Sequence, residues 1–122
     1  MTFPTPEIEH ADTAYESMRA INHLTITTHA IPAPEMYAIL GNLKCLGYAL
    51  DQALRQLCSA LQLSLDTFDV YETDGADPVT RAGWAIGDMT AAAEYAAHLG
   101  RCLDSAQSEV ARQAYNERPV LS

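Results

Sequence analysis

The spacing of apolar residues along the chain predicts two long amphipathic helices. Apolar residues recur in steps of four and three, with two interruptions, from residue 36 to 68, and a second such series runs from 85 to 110. Steps of three and four residues keep side chains on one face of a helix. The pattern predicts helices over about 34–67 and about 78–115. The two series are Met36, Leu40, Leu43, Gly47, Leu50, Leu54, Leu57, Leu61, Ser64, Phe68 and Ala85, Met89, Ala92, Ala96, Leu99, Leu103, Ala106, Val110.

A short acidic segment separates the two predicted helices. Asp74 and Gly75 form a dipeptide that is typical of tight turns. Asp77 stands where a helix N-cap is expected, and Pro78 suits the first helical position. The segment lacks carboxylates at the first and twelfth positions of a calcium-binding loop aligned on Gly75, which argues against an EF-hand. We interpret it as a solvated turn between antiparallel helices.

The N-terminal third of the chain predicts a shorter helix. Thr13 and Glu16 have the spacing of a capping box. A helix is therefore predicted over about 13–23, after a flexible arm at 1–11. The β-branched segment that follows has no strand to pair with, and we expect it to be an extended connector or a fraying continuation of the helix.

Glycine and alanine positions favour close packing of the two long helices. Gly47 lies within the first apolar series, where close approach of a neighbouring helix would explain it, and the second series is rich in alanine. We predict one all-α domain over 1–122: a long antiparallel hairpin with a shorter N-terminal helix, forming a three-helix bundle or a dimeric four-helix-type bundle. Residues 116–122 are expected to form a tail.

Charge and composition restrict the function. The formal net charge is −9, and the seven basic residues are scattered singly, so direct binding to nucleic acid is not expected. No apolar run approaches the roughly 18 residues of a membrane span. The N-terminus has no basic and apolar signal-peptide pattern, and we expect a cytoplasmic protein.

One strip of residues has metal-ligand chemistry. Glu94, His98 and Cys102 follow one another in steps of four, which places them along one side of the second long helix. The alternative is a boundary histidine beside a glutamate, and we favour it because a carboxylate-bridged di-metal bundle needs Glu-x-x-His pairs on two helices, which this chain does not have. We expect no metal and no cofactor. The three cysteines (Cys45, Cys58, Cys102) are interpreted as small buried apolar residues.

Several apolar side chains flank the two series and are candidates for an interface. We interpret Trp84 as a core residue near Phe68, with an exposed anchor for a partner as the alternative. The same alternative applies to the tyrosines, and the apolar face of the first long helix is wider than one neighbour requires. The interface candidates are Ile39, Leu46, Tyr48, Trp84 and Tyr95.

Three stretches resemble a known group of proteins. Residues 32–44 (PAPEMYAILGNLK), 50–55 (LDQALR) and 69–72 (DVYE) are similar to uncharacterised small helical proteins of actinomycetes. The resemblance implies an all-α fold over 13–115 and an actinobacterial source, and it implies no activity.

These observations lead to a ranked set of functions. The first is a non-catalytic interaction module that forms a homodimer or higher homo-oligomer to cover its apolar flanks and docks a further protein. The second is an acidic inhibitor or DNA mimic that occupies a basic nucleic-acid-binding site on its partner. The third is a helical-bundle metal protein that uses Glu94, His98 and Cys102.

Overall fold

The computed structural model describes residues 5–120 and contains three α-helices. They are α1 (Pro6–Thr25), α2 (Ala33–Thr67) and α3 (Pro78–Val110). Residues 5–120 include no β-strand, so the all-α prediction is confirmed. The chain divides into two compact units between Ile31 and Pro32, with α1 in the first unit and α2 and α3 in the second.

Helix α1 begins earlier than the capping box predicted. The hydroxyl of Thr5 accepts the backbone N–H of Ile8 at 3.3 Å, and Pro6 occupies the first helical position. These two residues supply a complete helix start. The hydroxyl of Thr13 instead donates to the carbonyl of Glu9 at 3.0 Å, within the helix. The predicted start near residue 13 is therefore wrong.

The predicted arm and connector change accordingly. Residues 6–11 of the arm are helical, and residues 1–4 lie outside the described part of the chain. Helix α1 continues to Thr25, and residues 26–32 form an irregular connector. Of the predicted tail, residues 116–120 are irregular and the last two lie outside the described residues.

Helices α2 and α3 follow the predicted boundaries closely, except at the end of α3. Asp77 caps α3 through a hydrogen bond from the N–H of Thr80 at 3.3 Å, and Pro78 is the first helical residue. Helix α3 ends at Val110 rather than near 115. Beyond it, the N–H of Ala111 bonds to the carbonyl of Ser108 at 3.3 Å, a three-residue step that closes the last turn.

The turn between α2 and α3 is built as predicted. Gly75 has a φ of 80°, a left-handed conformation that glycine adopts without strain. Its N–H donates to the carbonyl of Glu72 at 3.0 Å, and the Asp74 carboxylate accepts the N–H of Ala76 at 3.0 Å. These bonds reverse the chain so that α3 can return along α2.

Side-chain contacts fix α2 and α3 as an antiparallel hairpin. Near the start of α2, Lys44 reaches Asp104 at 3.2 Å, and further along, the Cys58 thiol lies 3.8 Å from the carbonyl oxygen of Ile86. Between them, a Cβ added to Gly47 would lie 3.1 Å from the Gly100 nitrogen and 3.1 Å from the Ala96 oxygen. The backbones therefore meet at Gly47 and Gly100, and the predicted close approach at Gly47 is confirmed.

Candidate interaction surface

One row of residues on each helix forms the seam of the hairpin. In both rows the steps alternate between three and four, as at the a and d positions of a heptad (abcdefg), and every member is buried or half-buried. The α2 row is Leu40, Lys44, Gly47, Asp51, Leu54, Cys58, Leu61, Leu65. The α3 row is Ala82, Ile86, Met89, Ala93, Ala96, Gly100, Leu103, Gln107, Val110.

The seam coincides with only half of each apolar series that the sequence shows. Apart from Ala82, the d positions of the seam belong to those series, but its a positions are taken by other residues. The leucines that the series placed toward the partner helix are left outside the seam: Leu50 is 44%, Leu57 46% and Leu99 47% exposed. The cause is steric, because Gly47 and Gly100 let the backbones touch, and this contact sets the rotation of both helices.

The residues left outside the seam share one side of the hairpin. In an antiparallel pair of helices, the a and e positions of both helices border one side, and the d and g positions border the other. Lys44 and Cys58 occupy a positions of α2, and they contact Asp104 and Thr90, which occupy e positions of α3. These contacts therefore lie on the side that the a and e positions border. The g and c positions therefore lie together on the opposite side.

We call this opposite side the leucine face. It comprises the g and c positions of α2 and the g and c positions of α3. The α2 residues are Met36, Ile39, Leu43, Leu46, Leu50, Ala53, Leu57, Ala60, Ser64, and the α3 residues are Ala85, Asp88, Ala92, Tyr95, Leu99, Cys102, Ala106, Glu109.

Charge is nearly absent from the leucine face. Between residues 36 and 65, helix α2 has three charged residues, Lys44, Asp51 and Arg55, and all three stand at a or e positions. On α3 the face has two charged residues, Asp88 and Glu109, one near each end. In a chain of net charge −9 this leaves an extended apolar surface, of the kind that marks an interaction site.

Three of the five predicted interface residues lie on the leucine face. Ile39 is half-buried, Leu46 is 42% exposed and Tyr95 is 75% exposed. They occupy c positions, at the outer edges of the face. The sequence did not single out Leu50, Leu57 and Leu99 as surface residues, because their series was interpreted as core. The absence of charge at the g and c positions of α2 was the signal that could have revealed them.

The other two predicted interface residues lie elsewhere. Tyr48 is at an e position, on the side of the hairpin away from the leucine face. Its ring packs on Gly100, where an added Cβ would lie 2.7 Å from the ring. Trp84 is 65% exposed at an f position, with the guanidinium of Arg81 at 6.0 Å from its ring centre. The interpretation of Trp84 as a core residue is therefore wrong.

The metal strip is only partly assembled. The thiol of Cys102 and Nε2 of His98 lie 3.5 Å apart. Among the described residues, however, no three His, Cys, Asp or Glu side chains converge, so Glu94 does not complete a ligand set. All three cysteines are free thiols; Cys45 and Cys102 are exposed and Cys58 is half-buried, which corrects the prediction of three buried cysteines.

Two charged groups are shifted by local hydrogen bonds. The pKa of Lys44 is raised above 10.5, chiefly because its ammonium donates to the carboxylate of Asp104. Gln107 accepts a second hydrogen bond from Lys44 at 3.0 Å, so these side chains link α2 to α3 near the open end of the hairpin. The pKa of Asp77 is lowered below 3.8, chiefly because the hydroxyl of Thr80 donates to its carboxylate at 2.7 Å.

The concave features of the hairpin are open grooves. One groove has a volume of about 450 Å³ and is lined by Cys58, Ser59, Gln62, Leu63, Asp66 and Ile86. Four of these six residues are exposed, so a ligand there would stay in contact with water. In the part of the chain that the structure describes, no helix combines the length and apolarity that a membrane crossing requires.

Comparisons with protein-family models, with curated proteins and with solved structures find no match to this chain. The resemblance to actinomycete proteins remains an expectation from the sequence.

Proposed function

We propose that the protein is a non-catalytic helical interaction module whose leucine face binds a second copy of the same chain. The observation that carries this proposal is the uncharged α2 flank of that face, which exposes Leu46, Leu50 and Leu57 by 42–46%. Self-association would remove this apolar surface from water in both copies at once.

The small interior of the chain supports this proposal. The buried apolar residues in the described part of the chain are four alanines (Ala33, Ala82, Ala93, Ala96), and no large side chain there is fully buried. A domain of this length ordinarily buries leucines and aromatic rings. Covering the exposed half of one leucine contributes about 1 kcal/mol, so several leucines add up to an association of useful strength.

The dimensions of the leucine face fit a dimer interface. Its α2 flank runs from Met36 to Ser64, which is about 40 Å of helix at about 1.5 Å per residue. Two packed helices present a width of about 20 Å, so the face covers about 800 Å² per copy. A standard protein interface buries about that area on each partner.

The charge distribution favours a second copy over a basic partner. A dimer formed through the leucine face buries few charges, and most of the acidic groups stay in water, where their repulsion is screened by salt. An acidic inhibitor or DNA mimic needs its carboxylates on the contact surface, and this face has two. That alternative would rest on the acidic turn instead. The metal-protein alternative has two converging side chains, His98 and Cys102.

Light scattering after size exclusion tests the proposal with a matched pair of variants. We expect wild-type protein at micromolar concentration to have twice the 13.3 kDa mass of one chain, at both low and high salt. Leu50→Glu should give a monomer, because it places a charge at the centre of the leucine face. Gln52→Glu adds the same charge to an exposed b position on the other side of α2 and should leave the dimer intact.

Two results would contradict the proposal. One is a wild-type monomer at micromolar concentration. The other is a dimer that Leu50→Glu leaves unchanged, which would place the contact on another surface. Association with a basic protein that weakens as salt rises would instead favour the acidic-inhibitor function.

A further inference from the structure

We infer that the two copies pack with α2 of each chain against α3 of the other, about a two-fold axis parallel to the helices. This inference rests on the proposed self-association. The α2 flank of the leucine face in one copy thus packs against the alanine-rich α3 flank of the leucine face in the second copy. The proposal concerns the α2–α3 hairpin alone.

A face-to-face dimer of two hairpins has two symmetric arrangements. The two-fold axis lies between the faces and runs either along the helices or across them. An axis along the helices pairs α2 with the partner's α3. An axis across them pairs α2 with the partner's α2 and α3 with the partner's α3. All neighbouring helices are antiparallel in both cases, so helix direction does not distinguish them.

Side-chain size favours the first arrangement. The g positions of α2 hold Leu43, Leu50 and Leu57, whereas three of the four g positions of α3 hold alanine. Large side chains that face small ones interdigitate, and the resulting packing is closer than leucine against leucine. Within one chain, a large side chain already packs on a residue without one, because the ring of Tyr48 in α2 lies against Gly100 in α3.

The charges on the face favour the same arrangement. Asp88 and Glu109 are the charged residues of the leucine face, and they lie near opposite ends of α3. Pairing α3 with the partner's α3 in reversed direction would bring Asp88 of one copy near the partner's Glu109 at both ends. Pairing α3 with the partner's α2 separates all four carboxylates and places each beside uncharged residues.

The register follows from contacts within one chain. Lys44 meets Asp104 and Cys58 meets Thr90, so residues of α2 and α3 at equal height have numbers that add to about 148. Rotation about an axis parallel to the helices leaves heights unchanged. Leu57 therefore lies level with the partner's Ala92, Leu43 with the partner's Ala106, and Leu50 with the partner's Leu99.

Disulfide trapping between differently tagged, co-expressed chains tests this arrangement. Both chains have Cys45, Cys58 and Cys102 replaced by alanine, and one has Leu57→Cys while the other has Ala92→Cys. After mild oxidation we expect a covalent dimer that contains both tags. We expect little covalent dimer from either variant alone, or from Leu50→Cys alone, because Leu50 faces the partner's Leu99.

Each other outcome overturns a defined part of the argument. A covalent dimer from Leu50→Cys alone, without the mixed Leu57–Ala92 product, would show that α2 pairs with α2. A dimeric mass with none of these disulfides would reject pairing through the leucine face. Light scattering before oxidation measures the mass of the variant in which alanine replaces the three native cysteines and no new cysteine is added. A monomeric mass for that variant would reject the proposed function itself, whereas a dimeric mass leaves only the arrangement of the helices in question.

Discussion

Gly47 decides which side of α2 faces α3. Because this position has no side chain, the α2 backbone comes close to the backbone of α3. A Cβ added at Gly47 would lie 3.1 Å from the Ala96 oxygen and 3.1 Å from the Gly100 nitrogen. Any larger residue would push the helices apart or turn α2 about its axis. The exposure of Leu50 and Leu57 is therefore a consequence of the small residues that meet in the seam at Gly47 and Gly100.

Replacing Gly47 by leucine should destabilise the hairpin. The added side chain would overlap the α3 backbone, and overpacking of this kind costs about 1–3 kcal/mol of unfolding free energy. Gly83→Leu is the matched control, because a Cβ there meets nothing within 4 Å and leucine favours the helix. Urea denaturation measures both variants. Equal stabilities of the two variants would mean that the helices do not approach at Gly47.

At the scale of single elements, local sequence signals predicted most of the fold. The apolar spacing and the Asp77–Pro78 start placed both long helices, because caps and turns depend on adjacent residues. The start of α1 was missed because Thr5 and Thr13 both suit an N-cap, and only the backbone at Thr5 is extended. Local signals thus leave a choice where two caps compete.

The rotation of α2 and α3 about their axes could not be predicted in the same way. Each helix has apolar residues at both its g and its d positions. From the sequence alone, either side of this apolar stripe could have packed against the other helix. The choice depends on which small residues of one helix meet those of the other, which is a property of the pair. For this reason the sequence identified Ile39, Leu46 and Tyr95 at the edge of the candidate surface and assigned its central leucines to the core.

The N-cap of α3 should make stability depend on pH. The folded pKa of Asp77 lies below 3.8 because the ionised carboxylate accepts hydrogen bonds from Thr80. The stability that this group contributes is therefore present above pH 3.8 and is lost as pH falls through the lower, folded pKa. The amide of an Asp77→Asn variant can still cap the helix but does not titrate. We expect the melting temperature of wild-type protein to exceed that of Asp77→Asn at pH 7, and the difference to shrink at pH 2.

Differential scanning calorimetry of both proteins across this pH range checks the expectation. Asp69→Asn, which makes the same charge change in the preceding loop, isolates the cap from the change in net charge. A wild-type advantage over Asp77→Asn that stays constant from pH 5 to pH 2 would exclude a titrating cap.

At the scale of the whole molecule, the distribution of apolar and acidic groups separates two roles. In the proposed dimer, the acidic residues outside the leucine face would stay in water, where the repulsion between the two copies is screened by salt. In the proposed dimer the leucine face would provide attraction over one defined area, and two-fold pairing of that face would close the assembly at two copies. A chain of net charge −9 can therefore self-associate without being driven to aggregate.

If folding and association are coupled through the leucine face, thermal stability should rise with protein concentration. Unfolding of a dimer releases two chains, so a hundredfold increase in concentration stabilises the folded state by about 2.7 kcal/mol per dimer. For a chain of this length the melting temperature should rise by about 3–6 °C. Leu50→Glu should melt at a temperature that does not depend on concentration, whereas Gln52→Glu should behave as wild-type. Calorimetry at two concentrations measures this, and a wild-type melting temperature that stays constant would mean that the hairpin folds without a partner at its leucine face.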